Sequence, residues 1–416
     1  MSLIELEDAF GTKWKDDKGT VVRRERDGMR WNCFGAKTDD YITALVANGT
    51  ELRLNTMSDR MEITGDPIND IQESIIINRL FDCNMKNEGK MRRAMQEAAH
   101  RNKYHPVREY LDGLEWDGDD HFGALMEKLK MPSALADVFF KKFLIGSVAK
   151  VLDGKQNFML VLVSAQGIGK SSFVRWLAAL QKLFYEGPIR PEDKDSSIRL
   201  INNWLWEVAE LDATTRKSDR SSLKHFVSQN TVKVRVPYGR YDLEKTAAAS
   251  FIGTVNPDGT GFLNDPSGNR RFAIIELDGI DWSYETDVNI DQLWAQIYAM
   301  YNSNVQYTLT PEEQTVQHDI NTEHSSRALI DDIIDANFLI DAEQTKRFIT
   351  TNDFIALLEN MGLRGQQFRI KNDLATAMSK RGVERGRRRI EGKRQYGYVG
   401  VWVDVSEEFV AKSINL

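Results

Sequence analysis

Cysteine is scarce in this chain, with two in 416 residues, Cys33 and Cys83. They are far apart and in no CxxC pair, which excludes a disulfide framework and a thiolate zinc site and leaves them as core-filling thiols. Long apolar runs are missing too. None approaches the roughly 18 residues that span a bilayer, and the opening MSLIELEDAFGTKWKDD has no apolar signal core. The expectation is a cytoplasmic protein with no membrane partner. Internal repeats and low-complexity tracts are also absent. With 41% hydrophobic and 28% charged residues, the composition is that of a soluble globular chain with room for two or three domains.

An excess of positive charge is lacking overall, since the net charge is −7, but it is present locally. Thirteen basic residues stand against five acidic ones between Lys346 and Arg394. Such polarisation describes a basic module appended to an acidic body.

What the chain does contain is FMLVLVSAQGIGKSSFVRWLAAL, Phe158 to Leu180. Phe158 to Val163 is a continuous apolar run of the kind found in parallel strands buried on both faces, and Ser171 to Leu180 has helical apolar spacing. Between them lies a glycine turn that would cradle phosphates through Gln166, Gly167, Ile168, Gly169, Lys170, Ser171 and Ser172. In that pattern Lys170 reaches the β and γ phosphates of ATP and the Ser171 hydroxyl ligates Mg²⁺. Ser164 stands where the pattern asks for its first glycine.

The flanking segments set the organisation. Residues 1–85 mix short strand-like runs with turns and read as a small α+β region without a catalytic cluster. Residues 86–149 read as a helical subdomain, residues 150–300 alternate strands with helices as in a parallel sheet, residues 301–345 form a helical linker, and residues 346–416 carry the basic module.

Hydrolysis needs a carboxylate to orient water and a group that senses the γ phosphate. In NNWLWEVAELD, Glu210 sits at a strand's end and is favoured as the base, also holding Mg²⁺ through water. Alternation places Glu207, its rival, on the opposite face. Asn256 ends the apolar strand SFIGTVN and is the candidate sensor. Arg270 and Arg271 follow a glycine turn, and either could serve a neighbouring subunit as an arginine finger. A hairpin around Pro237 would carry Lys233, Arg235, Tyr238, Arg240 and Lys245, a basic set with an interleaved aromatic that suits single-stranded DNA.

In the last module, TNDFIALLENM and IKNDLATAMSKRG are amphipathic helices, followed by a basic strand, a turn and an aromatic strand. That order matches a winged helix. Arg385, Arg387, Arg388, Arg389, Lys393 and Arg394 would form the wing and give salt-dependent affinity for duplex DNA.

The order NKYHPVREYLDGLEWDG, SAQGIGKSSF, WLWEVAELD, LKHF, VRVPYGR, FIGTVN and GNRRF resembles the virulence-associated protein E family of phages and mobile elements, related to superfamily 3 helicases. The resemblance covers roughly residues 90–280 closely and the flanks loosely. It implies an AAA+-like P-loop core, a homo-oligomeric ring, most simply a hexamer, with ATP between subunits and DNA in the middle. It makes Lys170 and Ser171 the Walker A residues, Glu210 with Glu207 the Walker B acids, Asn256 the sensor and Arg270 or Arg271 the finger. The helical subdomain becomes an oligomerisation collar, and the host a bacterium. Residues 1–85 lack an evident metal-binding carboxylate cluster, so no primer synthesis is expected and a primase would be a separate partner. Two functions remain open beside a replicative helicase: an initiator or loader that melts DNA without processive unwinding, and a nucleotide-switched regulator.

Overall fold

The computed structural model describes residues 23–25, 30–32, 37–82, 85–133, 135–209, 211, 220–234, 243–256, 269–341, 344, 346–363, 367–390 and 392–403. Cys33, Cys83, Glu210, Arg235, Tyr238 and Arg240 lie outside them. The chain divides into two compact units, Met1–Gly113 and Leu114–Leu416. No helix among the described residues is long and apolar enough to cross a membrane.

The first unit is α+β. Strands Leu52–Asn55 and Arg60–Ile63 form the middle of a four-stranded sheet. Helices Thr38–Ala47, Asp70–Asp82 and Glu88–Arg101 cover it, and Tyr41, Leu45, Leu52, Ile76, Met91 and Met95 close its core. Among the described residues no group of three or more metal-ligating side chains converges.

The second unit is a mixed α/β body built on a parallel sheet. Its elements are, in chain order, α1 (Ala136–Asp153), β1 (Met159–Val163), α2 (Lys170–Leu177), β2 (Phe184–Glu186), β3 (Leu205–Val208), β4 (Ser250–Val255) and β5 (Phe272–Glu276). The sheet order is β5-β1-β4-β3-β2, and every pairing is parallel. Both faces are covered, which is why β1 is apolar without alternation. Met159, Val161 and Val163 join a cluster with Leu200, Phe226 and Phe251, while Leu160 and Leu162 are equally buried. A hairpin of strands Thr231–Val234 and Leu243–Thr246 leaves the body between β3 and β4.

The edge strand β5 is capped by α3 (Pro311–Asn337), a single 27-residue helix. Its start is specified locally by Pro311 at the first position and a capping box between Thr310 and Glu313. Gln317 Nε2 and Asn321 Nδ2 both donate to the carbonyl of Phe272, at 2.8 and 2.9 Å, so the helix covers polar groups that an open edge would expose. The far end of α3 packs elsewhere. Ile330, Ile333 and Ile334 enter a core with Phe354, Leu358, Leu374 and Tyr398.

That core belongs to β6 (Phe348–Thr350), α4 (Thr351–Asn360), α5 (Gln367–Lys380), β7 (Arg385–Ile390) and β8 (Lys393–Val399). The strands form an antiparallel sheet in the order β6-β8-β7. Arg381 is part of this packing. Its guanidinium holds Asp331 and Asp335 of α3, each at 2.6 Å, so this member of the basic run is spent internally.

Candidate functional site

The turn between β1 and α2 sits at the C-terminal end of the parallel sheet, where strand carbonyls end and a helix begins. Gly167 and Gly169 have φ of +87° and +98°, a region that side-chained residues resist, and this lets the chain reverse into α2. Gly169 accepts the first helical bond, from Phe173 N–H at 2.9 Å. The N–H groups of the first helical turn have no partner further back in a helix and face outward with the positive end of the peptide dipoles.

Lys170 folds back over the turn. Its ammonium donates to the Ser164 carbonyl and the Ser164 hydroxyl at 2.8 Å each, to the Ala165 carbonyl at 3.2 Å and to Asn256 Oδ1 at 3.5 Å. Burial lowers its pKa from the usual lysine range. Ser164 departs from the glycine of the pattern, and its hydroxyl is one of the groups that position Lys170. Asn256 follows β4, whose Val255 pairs with Val163, so its amide lies beside the turn.

Glu207 comes from β3. Trp206 and Val208 point into one core cluster, so Glu207 points to the other face, toward α2. It is fully buried, accepts a hydrogen bond from Thr254 at 3.3 Å, and has the Ser171 hydroxyl near its carboxyl group. Its Oε2 has no hydrogen-bond partner among the described residues. Burial raises its pKa, the nearby Ser171 and Thr254 hydroxyls oppose the shift, and Glu186 reinforces it. A buried carboxylate oxygen without a partner, next to the Ser171 hydroxyl, is a donor set suited to a hard cation such as Mg²⁺. Of the two acids weighed from sequence, Glu207 is thus the one seen at Ser171, while Glu210 lies outside the described residues.

Gln166, Gly167 and Ser172 are exposed around the turn, and Ile168 and Gly169 are half-buried. Trp282 belongs to no motif of the sequence. It follows β5, on the side of β1 away from β4, and its half-exposed ring lies against Gly169.

The structure does not bring Arg270 and Arg271 to this turn. They precede Phe272, which pairs with Met159 at the opposite end of β1, about 17 Å away along five residues of strand. Arg271 Nε donates to Ser228 Oγ, whereas the Arg270 side chain is exposed. Both line an open cavity of about 410 Å³ with Gln156, Ser228, Gln314 and Gln317.

The proposed DNA contacts separate by strand face. In the hairpin Lys233 is exposed and Lys245 half-buried. In β7 the alternation exposes Arg385, Arg387 and Arg389, and across the ladder Arg387 faces Tyr396 and Arg389 faces Arg394. Arg394 and Tyr396 are exposed as well, and Arg385 lies 5.0 Å over the Tyr396 ring. Arg388 is on the other face, where it donates to the Lys346 carbonyl at 3.0 Å and sits 5.0 Å over Phe348. Lys393 begins β8 opposite Ile390.

A family model, the virulence-associated protein E-like domain, matches residues 111–326, more than half of the chain. No curated protein matches. Among solved structures, the A form apo structure of the NrS-1 C terminal region is 13% identical, with a TM-score of 0.44 and coverage of 86% of this chain and 98% of that one. An apo structure of the same region is 14% identical with the same TM-score and coverage.

Proposed function

The chain belongs to the virulence-associated protein E-like domain family, and from that premise we propose that it is a P-loop ATPase of AAA+ type that works on DNA during replication of a phage or mobile element. The observation that carries this reading is the convergence of Lys170, Ser171, Glu207 and Asn256 on one glycine turn. A phosphate chain would lie over the turn and take over the donors that Lys170 now directs to Ser164 and Ala165. Asn256 would contact the γ phosphate from the β4 side. Ser171 and Glu207 would hold Mg²⁺, the glutamate through water, and the ion would supply charge neutralisation between the β and γ phosphates. Glu210 remains the candidate to orient the attacking water.

The reading favours a ring of identical subunits. Arginines at the far end of the sheet cannot reach their own nucleotide, but they can reach a neighbour's when subunits pack head to tail. Arg270 is the better finger because Arg271 is engaged by Ser228. Neither Lys170→Ala nor Arg270→Ala subunits alone should hydrolyse ATP, and mixing them should restore a measurable rate, because some interfaces then pair an intact loop with an intact finger. Absence of any rescue on mixing, in a population shown to co-assemble, would reject action across an interface.

The element order from β6 to β8 supports a winged helix, with α5 as the groove reader. Triple charge reversal at Arg385, Arg387 and Arg389 should weaken duplex binding and flatten its dependence on log salt by about 2–3 units, one for each phosphate left without its guanidinium. The same reversal at Arg388 alone should act through folding, since that side chain braces Lys346 and Phe348. Titrations at several salt concentrations measure both.

The decisive test of the whole reading is ATP hydrolysis with and without single-stranded DNA, alongside strand displacement. Stimulated hydrolysis with displacement is the result for a helicase. Stimulated hydrolysis without displacement selects the initiator or loader, and no hydrolysis at all rejects an ATPase.

A further inference from the structure

Trp282 is 51% exposed, large, and held in place from behind. Its ring is stacked on Tyr284 with centroids 6.3 Å apart and planes 28° from parallel. Tyr284 is fully buried and meets the Trp176 ring edge-on at 4.9 Å and Phe173 at 5.4 Å. The indole is thus the outermost member of an aromatic row along α2. At the turn it occupies the space that a Cβ on Gly169 would need, so a side chain there would run into the ring. The glycine admits a flat aromatic surface to the phosphate cradle itself.

The sheet order decides what that surface faces. β4 lies on one side of β1, with β3 beyond it, and these strands bring Asn256 and Glu207 to the turn. β5 lies on the other side, and the chain leaving it delivers Trp282. A triphosphate anchored with its γ end at Asn256 and Lys170, on the β4 side, would have its α end free to turn toward the β5 side and Trp282. An open cavity of about 540 Å³ lies beside α2 next to the turn, lined by Ser171, Ser172, Arg175, Trp176, Gln181 and Glu285. That is room for a nucleoside.

We propose that Trp282 is the stacking platform for the nucleobase of the bound nucleoside triphosphate. The assignment rests on the nucleotide reading of the Gly167–Ser171 turn and adds to it the half of the ligand that the turn does not touch. A stacked indole binds any base by its π-face, so the platform contributes affinity and places the phosphates, while base selectivity falls to the polar groups of the cavity.

The test uses the full chain, with two probes in the presence of Mg²⁺: ATP, and inorganic tripolyphosphate, which has the phosphates without the base. Trp282→Ala should weaken ATP binding by at least about fivefold, the range for loss of one base–aromatic stack, and leave tripolyphosphate binding unchanged. Trp282→Phe should keep most of the ATP affinity. ATP, but not tripolyphosphate, should quench a component of the tryptophan emission that Trp282→Phe lacks, a measurement that does not depend on the alanine variant. Equal weakening of both probes would overturn the proposal and make Trp282 a brace for the turn. Unchanged ATP affinity, or quenching by both probes, would also overturn it. Wild-type protein that binds ATP no better than tripolyphosphate would remove the base site alone, whereas wild-type protein that binds neither would remove the nucleotide reading with it.

Discussion

Lys170→Ala is expected to bring ATP hydrolysis to background, a loss of about 10³-fold or more, because charge stabilisation at the transferring phosphoryl group is the main work left to the protein in this chemistry. The ammonium has three protons and is already directed at Ser164, Ala165 and Asn256 around the mouth of the turn. No other lysine or arginine among the described residues is held this way at the cradle, so nothing substitutes for it. The fold should tolerate the change. Of the acceptors left behind, Ala165 is exposed and Asn256 half-buried, the buried Ser164 keeps its own hydroxyl bond to the Ala165 carbonyl at 3.1 Å, and a group whose pKa is lowered by burial is itself costly to keep charged. Phosphate release and thermal melting, measured on the same preparation, separate the two effects. A variant that melts normally and still hydrolyses ATP at more than a few per cent of the wild-type rate would reject the site.

Glu207→Gln should act in opposite directions on activity and stability. Hydrolysis should fall by about 10²-fold or more, since an amide cannot replace a carboxylate in holding a divalent cation near Ser171. The ligand-free protein should melt higher. Glu207 is fully buried and its Oε2 makes no hydrogen bond among the described residues, so its ionised form is penalised in the folded state. A carboxyl whose folded pKa is raised costs stability once pH exceeds its unfolded value, near the ordinary glutamate pKa, and the cost is complete above the folded pKa. The gain in melting temperature for Glu207→Gln should therefore be largest at neutral pH and shrink as pH falls toward the ordinary glutamate range. Melting curves across pH, without Mg²⁺ or nucleotide, measure it. A variant less stable than wild type at neutral pH would contradict the placement of the unpartnered oxygen.

How much of this is legible in the sequence depends on how far apart the cooperating residues lie. The cradle can be read directly, because strand, turn and helix are contiguous and each has a local cause: an apolar run, two glycines and helical spacing. Glu207 is harder. Alternation separates it from Glu210, but β3 is buried on both faces, so no polar side marks which face meets α2. Ser164 is a lapse in a pattern as sequence, and becomes intelligible only with Lys170 bonded to its hydroxyl. Trp282 carries no local signal, since its place at Gly169 follows from β5 lying beside β1. The basic run of the C-terminal module is obvious by count, yet counting does not separate Arg387 from Arg388. Only the strand pairing shows that one is exposed and the other is folded against Phe348.

The long helix α3 has mechanical consequences. It is pinned at one end, through Gln317 and Asn321, to the carbonyl that follows the two arginines, and at the other, through Asp331 and Asp335, to Arg381 at the end of α5. About 20 Å of uninterrupted helix separates the two anchor points, at 1.5 Å per residue, with no hinge between them. A pivot of a few degrees at the sheet edge would swing the basic sheet sideways by an ångström or more, as a lever arm does. The same rod would return any load on the basic sheet to the arginine edge.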